Sequence, residues 1–293
     1  MTPRVLLASC AELPESDGDD TSLPAALGEL GVSAGWAPWD DPAADFAGAD
    51  LVVLRATWDY PARRAEFLKW CESVPNLANP AEVVRWNTDK RYLVDLAACG
   101  LDVVPTQLVA PGAQPDWPDA GFVLKPSVGA GSVGAARFGP GSLDVAREHL
   151  DGLHADSHVA VLQPYQETVD REGETALVFV GGTYSHAFVK GAMLSDSAEL
   201  DGSGLYVDEQ LWPADPEPAL RRAAEDAMDA AGTVLGVDRR ELLYARVDLV
   251  RGPDGRPLLL ELELAEPSLG FRQTDGGARL RFASAVRAAL LQR

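Results

Sequence analysis

Basic residues are in short supply. The 293-residue chain has 25 lysines and arginines against 45 aspartates and glutamates, a formal charge of −20. That balance excludes broad, sequence-independent binding to nucleic acid, which needs an excess of cationic side chains. An anionic ligand in a locally basic cleft is not excluded; for the rest of the surface the acidity reads as solubility. Cysteine is sparse too. Cys10, Cys71 and Cys99 are widely spaced, with no CxxC and only 4 histidines in the chain. Neither a disulfide framework nor a zinc site is indicated, and a reducing cytoplasm is the expected compartment. No run of ~18 apolar residues occurs, so no transmembrane helix and no membrane partner are expected. The start, MTPRVLLASC, has only a short apolar run before turning acidic and does not read as a signal peptide. No internal repeat is visible. With 46% apolar residues, the chain is long enough for two or three packed lobes around a shared core.

The first 60 residues read as strand 4–9, helix 23–30 closed by Gly31, and strands 32–37 and 51–54. That order suggests a small α/β lobe with a parallel sheet. Its third strand runs into Arg55, Thr57, Trp58 and Asp59. The carboxyl end of a parallel strand is where open α/β sheets place ligands. Trp58 as packing and Asp59 as a helix cap weigh about as much, but Arg55 straight after a buried strand favours a ligand contact. Helices follow at 63–73 and, as one continuous element, at 82–99. After an extended stretch, 103–109, and a proline-rich loop come a strand at 122–126, a helix at 143–150 and a strand at 160–165. Strands 174–180 and 184–190 flank Gly181-Gly182, a hairpin signal. A polar loop, 191–216, is long enough to be a lid. Helix 218–235, a strand pair 244–250 and 257–264, and helix 279–291 close the chain.

Two stretches carry the chemistry. The first, GFVLKPSVGAGSVG over 121–134, delivers Lys125 from a short buried strand into a loop of small residues. Backbone N–H groups in such a loop can approach phosphate oxygens. No Gly-Lys-Ser/Thr closes it, so it is not a Walker sequence, and a plain hairpin turn is an equal reading of this stretch alone. The second is the last strand pair. Arg246 and Asp248 share one strand face, and Glu261 and Glu263 share a face of LLLELELA. Buried carboxylates need cations. Asp248, Glu261 and Glu263 therefore read as ligands for Mg²⁺ on a nucleotide triphosphate; a solvated acidic face is the competing reading, disfavoured because LLLELELA is too apolar for an exposed edge.

The order of these parts resembles the ATP-grasp superfamily, which includes glutathione synthetase and D-alanine–D-alanine ligase, over nearly the whole chain. Asn87-Thr88-Asp89-Lys90 resembles the first lysine motif, with Lys90 on phosphate. Val123-Leu124-Lys125-Pro126 resembles the second, followed by the flexible loop with Ser127, Gly129, Gly131 and Ser132 over the phosphates. Gln163-Pro164-Tyr165 resembles the hinge that contacts adenine, Glu174 an acidic residue near the nucleotide, and Lys190 a basic residue on the phosphates. Arg246-Val247-Asp248 and Glu261-Leu262-Glu263 resemble the metal hairpin, with Glu263 where the superfamily usually has Asn. The stretches Arg55 to Tyr60 and Glu261 to Leu269 look like the actinobacterial group that includes the O-ureido-D-serine cyclo-ligase.

The resemblance implies an α/β (α+β) fold: an N-terminal parallel-sheet domain over 1–84, a central lid subdomain over 85–162, and a C-terminal ATP-binding sheet over 163–293. It implies ATP with two Mg²⁺ ions, a small amino-acid-like substrate, and the homodimer frequent among such ligases. A carboxylate would be activated as an acyl phosphate, with Lys125, Lys190 and Arg246 neutralising charge during transfer. Arg55 would hold a substrate carboxylate. Ser268 and Arg272 would join it, and Thr57, Trp58 and Asp59 would face the acceptor end. Ring closure and intermolecular ligation stay open, as do a nucleotide-binding protein without turnover and a kinase on the same ATP site.

Overall fold

The computed structural model describes residues 2–194, 200–207 and 209–292. The chain begins with β1 (Arg4–Ser9), α1 (Leu23–Glu29), β2 (Ser33–Pro38) and β3 (Leu51–Ala56), and the three strands form a parallel sheet in the order β2-β1-β3. β1 and β3 are apolar on both faces because both are covered. Val5, Leu7, Leu51 and Val53 join the central core, while Leu6, Ala8, Val52 and Leu54 pack with Trp39 and Phe67. Phe67 belongs to α2 (Arg64–Ser73).

The helical periodicity of 82–99 hides a break. The chain forms α3 (Ala81–Asn87) and α4 (Tyr92–Ala98) instead. Long-range hydrogen bonds outweigh propensity there. The Lys90 N–H donates to the Ser127 carbonyl at 2.8 Å, and the Asn87 side chain is committed to a strand 175 residues away.

Next come β4 (Gln107–Val109), β5 (Phe122–Pro126), β6 (Ala136–Phe138), α5 (Leu143–Ala155) and β7 (Ala160–Pro164), an antiparallel sheet in the order β4-β7-β5-β6. Phe122, Leu124 and Leu162 face α5 through Ala146, Leu150 and Leu153. Strand alternation turns Val123, Lys125 and Gln163 to the opposite face. A domain break at 162/163 would cut β7, so the central sheet extends to Pro164. Residues 83–96, assigned by sequence partly to the central part, pack on the C-terminal sheet instead, through Val83, Tyr92, Leu93 and Leu96.

The last part holds α6 (Val169–Glu172), β8 (Glu174–Val180), β9 (Thr183–Lys190), β10 (Leu211–Ala214), α7 (Pro218–Leu235), β11 (Tyr244–Arg251), β12 (Pro257–Glu263) and α8 (Gly277–Leu291). Its antiparallel sheet runs β10-β9-β8-β11-β12. The long polar loop thus contains a strand, β10, paired with β9; its residues 195–199 and 208 lie outside the described residues. α7 covers one sheet face, and α8 covers part of the other beside β1.

Two details of β12 position the site. Asp248 pairs with Glu261 and Leu249 with Leu259, so Leu260 is an extra, unpaired residue in a β-bulge. The bulge lets Leu259 and Leu262 both face α7 while Leu260 turns toward Val169 and Val250. The outer edge of β12 is closed by side chains. Asn87 Nδ2 donates to the Leu262 carbonyl at 2.7 Å, its Oδ1 accepts from Leu264 N at 2.6 Å, and Tyr92 Oη accepts from Leu262 N at 3.0 Å. Among the described residues no helix is long and apolar enough to cross a membrane.

Candidate active site

A cleft of about 260 Å³ opens between the three sheets. The register of the last strand pair sets Asp248 opposite Glu261 and Arg246 opposite Glu263. As a result, oxygens of Asp248, Glu261 and Glu263 lie within 4.8 Å of one another. Arg246 threads between them: Nε and Nη2 donate to the two Asp248 oxygens at 2.9 Å each, Nη2 also reaches Glu263, and Nη1 donates to the Ser268 carbonyl at 3.0 Å. Lys190, at the end of β9, bridges Asp248 at 2.7 Å and Glu174 at 2.8 Å. Lys90, in the break between α3 and α4, donates to the Gly129 carbonyl at 2.9 Å and sits 3.2 Å from Glu261. Lys125 reaches the same space from β5. Burial, and next the Lys90 charge, lower its pKa against the pull of Glu261.

Burial and neighbouring charges move the cleft glutamates in opposite directions. Burial penalises the Glu261 carboxylate, but Lys90, Lys125, Lys190 and Arg246 outweigh it and hold the group down at about 2. Glu263 goes the other way. Burial, with repulsion from Glu261 and Asp248 that Arg246 does not offset, pushes it up to about 7. Burial and then Glu263 push Glu266 up to about 8. The cleft lining carries more carboxylates than cationic side chains, and the donors of the cluster are all oxygen. A hard divalent cation fits both facts. Asp248 already accepts from Lys190 and Arg246, so Glu261 and Glu263 offer the freer ligand atoms.

At the other end the cleft is apolar. Val123, Val169, Val250 and Leu260 line it beside Gln163, Pro164 and Tyr165. The Gln163 side chain is held by Thr106 at 2.9 Å, and the Arg137 guanidinium lies 3.5 Å over the Tyr165 ring. Gly129, Gly131 and Ser132 form the roof. Ser127 does not; it is buried, its N–H donates to the Val159 carbonyl and its own carbonyl takes the Lys90 N–H, both at 2.8 Å.

The N-terminal lobe corrects the sequence reading most. Trp58 lines the cleft, but Arg55, Thr57 and Asp59 do not. Arg55 is wholly buried, donating from Nε to Asp20 at 2.8 Å and from Nη2 to the Pro267 carbonyl at 2.7 Å. All three of its nitrogens turn to protein acceptors, and it ties the acidic loop to the turn after β12. Thr57 is fully buried and its hydroxyl has no protein partner. Asp59 accepts from Trp39 Nε1 at 2.9 Å and from Arg63. Ser268 and Arg272 do line the cleft. Asp19 fixes the latter by accepting the backbone N–H groups of Phe271 and Arg272 at 2.9 and 2.8 Å. Tyr60, Glu266, Asp17, Tyr206 and Glu209 also reach the cleft. Tyr60 and Glu266 sit inside the two singled-out motifs; nothing in sequence pattern marks Tyr206 or Glu209.

Two lysine-bearing parts set over a carboxylate hairpin are the arrangement of the ATP-grasp fold. Comparison with known proteins narrows this. A family described as D-cycloserine synthetase DcsG, N-terminal domain, matches residues 5–79. The cycloserine biosynthesis protein DcsG of Streptomyces lavendulae is 40% identical over 296 residues, with 96% of each chain covered. The crystal structure of D-cycloserine synthetase DcsG superposes with a TM-score of 0.88 at 38% identity, over 98% of this chain and 99% of that one. An ATP-grasp ligase, PsnB, complexed with a phosphomimetic precursor variant, Mg and ADP, has a TM-score of 0.63 at 14% identity over 99% of both chains, a likeness of fold alone. The chain belongs to the family of the D-cycloserine synthetase DcsG.

Proposed function

We propose that this enzyme closes O-ureido-D-serine to cycloserine with Mg²⁺ and ATP. The observation that carries this is one cleft with four cationic side chains over a three-carboxylate cluster and an apolar end, beside a small polar end bearing Ser268 and Arg272. The adenine would lie among Val123, Val169, Val250 and Leu260 against Gln163 to Tyr165. Lys90, Lys125 and the loop over Gly129, Gly131 and Ser132 would hold the phosphates. Asp248, Glu261 and Glu263 would hold Mg²⁺, two ions in the full reading. Held there, Mg²⁺ would supply neutralisation of phosphate charge.

Phosphoryl transfer to a carboxylate brings two anions together. Lys190 and Arg246 sit fixed where that charge gathers, so no reorganisation is needed when it moves. Arg272 and Ser268 would orient the substrate. The acyl phosphate carbon is then attacked by the oxyamine nitrogen of the same molecule. The C–N bond forms, the C–O bond to phosphate breaks, and the nitrogen loses its proton. The carbamoyl group on that nitrogen leaves with one water as CO₂ and ammonia. No protein nucleophile is required.

The test is turnover with O-ureido-D-serine and Mg-ATP alone, measuring ADP, phosphate, ammonia and cycloserine. Equal amounts of all four are expected. Turnover only when a second amine is added would sink the ring-closing reading, and a phosphorylated end product without free phosphate would make the enzyme a kinase.

A further inference from the structure

All three parts of the chain meet at the substrate end of the cleft. From the N-terminal lobe, Trp58 donates its indole N–H to the Glu266 carbonyl at 2.9 Å and stands edge-on to Tyr206, ring centres 5.3 Å apart. From the central part comes Gly131, in the left-handed region at φ 58°. A Cβ there would stand 2.5 Å from the Tyr206 Cβ, so only glycine permits the approach. Its carbonyl accepts from Val207 N at 3.0 Å. The segment bearing Tyr206 is itself braced. The Asp201 carboxylate accepts from Ser203 N at 2.8 Å, Ser203 Oγ at 2.7 Å and Leu205 N at 3.2 Å. Behind this junction Val128, Ala130 and Leu205 pack on the N-terminal core. Trp58, Gly131 and Tyr206 all face the cleft.

We propose that Trp58 and Tyr206, closed against Gly131, form a wall that admits one small zwitterion and so directs the activated carboxyl to ring closure. This rests on the ring-closing reading above. An acyl phosphate can lose its phosphate to the substrate's own nitrogen, to water or to a second amine. In each case a bond forms to the carbonyl carbon, phosphate leaves with the electron pair of the broken C–O bond, and the attacking atom releases a proton. Only the first needs no entry from outside. The internal nitrogen is already held near the carbon, which favours it heavily. The wall removes the competitors. It seals the junction of the N-terminal lobe, the loop of Gly131 and the segment of Tyr206 against a second amine. Water must be kept out until the ring has closed.

The probe is hydroxylamine, a small nucleophile that converts an exposed acyl phosphate to a hydroxamate. Wild-type enzyme with Mg-ATP and O-ureido-D-serine is expected to give one cycloserine per ADP and no hydroxamate above background. In Tyr206→Ala and Trp58→Ala, the hydroxamate and uncoupled phosphate formed per cycloserine should reach roughly tenfold the wild-type background, as the internal attack loses its protection. Tyr206→Phe keeps the ring and should stay coupled. The proposal is overturned if the folded alanine variants keep wild-type coupling, or if Tyr206→Phe uncouples as far as Tyr206→Ala. It is also overturned if the wild type yields hydroxamate in proportion to added hydroxylamine, a result that needs no variant to fold. Wild-type ADP release with neither cycloserine nor hydroxamate would instead remove the ring-closing reading beneath it.

Discussion

Arg55→Ala should unfold this protein more readily without changing how it meets its substrate. Arg55 and Asp20 form an ion pair whose side chains are 0% and 4% exposed. Removing one partner of such a pair typically costs about 3–5 kcal/mol, because the other charge is left buried. The Pro267 carbonyl also loses its donor, and the guanidinium no longer lies 5.4 Å over the Tyr244 ring. One effect limits the loss. Burial already lifts Asp20 to about 6 even with Arg55 beside it, so the orphaned carboxyl can take up a proton. The lower end, about 3 kcal/mol, is therefore expected near neutral pH, or roughly 6 °C in Tm for a chain of this size. The sign with pH follows. Without Arg55, the folded-state pKa of Asp20 lies higher still, so the variant loses stability as pH rises through that value, and its deficit should be smaller at pH 5 than at pH 8. Asp20→Asn in the Arg55→Ala background should recover part of the loss. The assay is thermal and urea unfolding at both pH values, with the substrate KM measured in parallel. A Tm within about 1 °C of wild type together with a strongly raised KM would refute the structural role and restore a direct substrate contact.

Three further outcomes are expected. Glu261→Gln should raise the Mg²⁺ concentration for half-maximal ADP release by roughly 10–100-fold; an unchanged Mg²⁺ titration would take Glu261 out of the metal site. Asn87→Ala leaves the Leu262 carbonyl and the Leu264 N–H without partners at a buried edge and should cost roughly 2–4 kcal/mol in urea unfolding, against near zero if water fills the gap. Glu263 and Glu266 are raised to about 7 and 8 in the fold. Their contribution to stability is complete below about pH 4.5 and is lost as pH rises through 7 to 8, so Tm without ligand should fall across that window. Mg-ATP should flatten the fall, and a parallel decline with and without it would contradict the reading of the cleft as short of cations.

What was legible in sequence was what depends on local pattern. The alternation of Arg246 with Asp248 and of Glu261 with Glu263 placed each pair on one face of its own strand, because strand geometry leaves no other choice; the register that brings the two pairs together is seen only in the fold. α7 is bounded as its proline and glycine signals suggest, since both act within a turn of the helix end. What was hidden depends on distant partners. The break at 88–91 exists because Ser127 and β12 claim the local hydrogen bonds. Arg55 looks like a ligand contact until Asp20 and Pro267 are found against it. Tyr206 lies in a stretch with no periodicity, and its place is set by Gly131 and Trp58, 75 and more residues upstream.

The unpaired Leu260 gives one strand two independent tasks. In a strictly alternating strand, any residue added or lost beside the carboxylates would turn Glu261 and Glu263 to the wrong face. Here the slack in the pairing ends before Glu261. A lineage of such enzymes can therefore remodel the apolar end of the cleft through the size of residue 260, while the two glutamates keep their register with Asp248 and Arg246. On the assignment proposed above, preference for the nucleotide and affinity for the cation become separately heritable traits, carried on adjacent positions of a single strand.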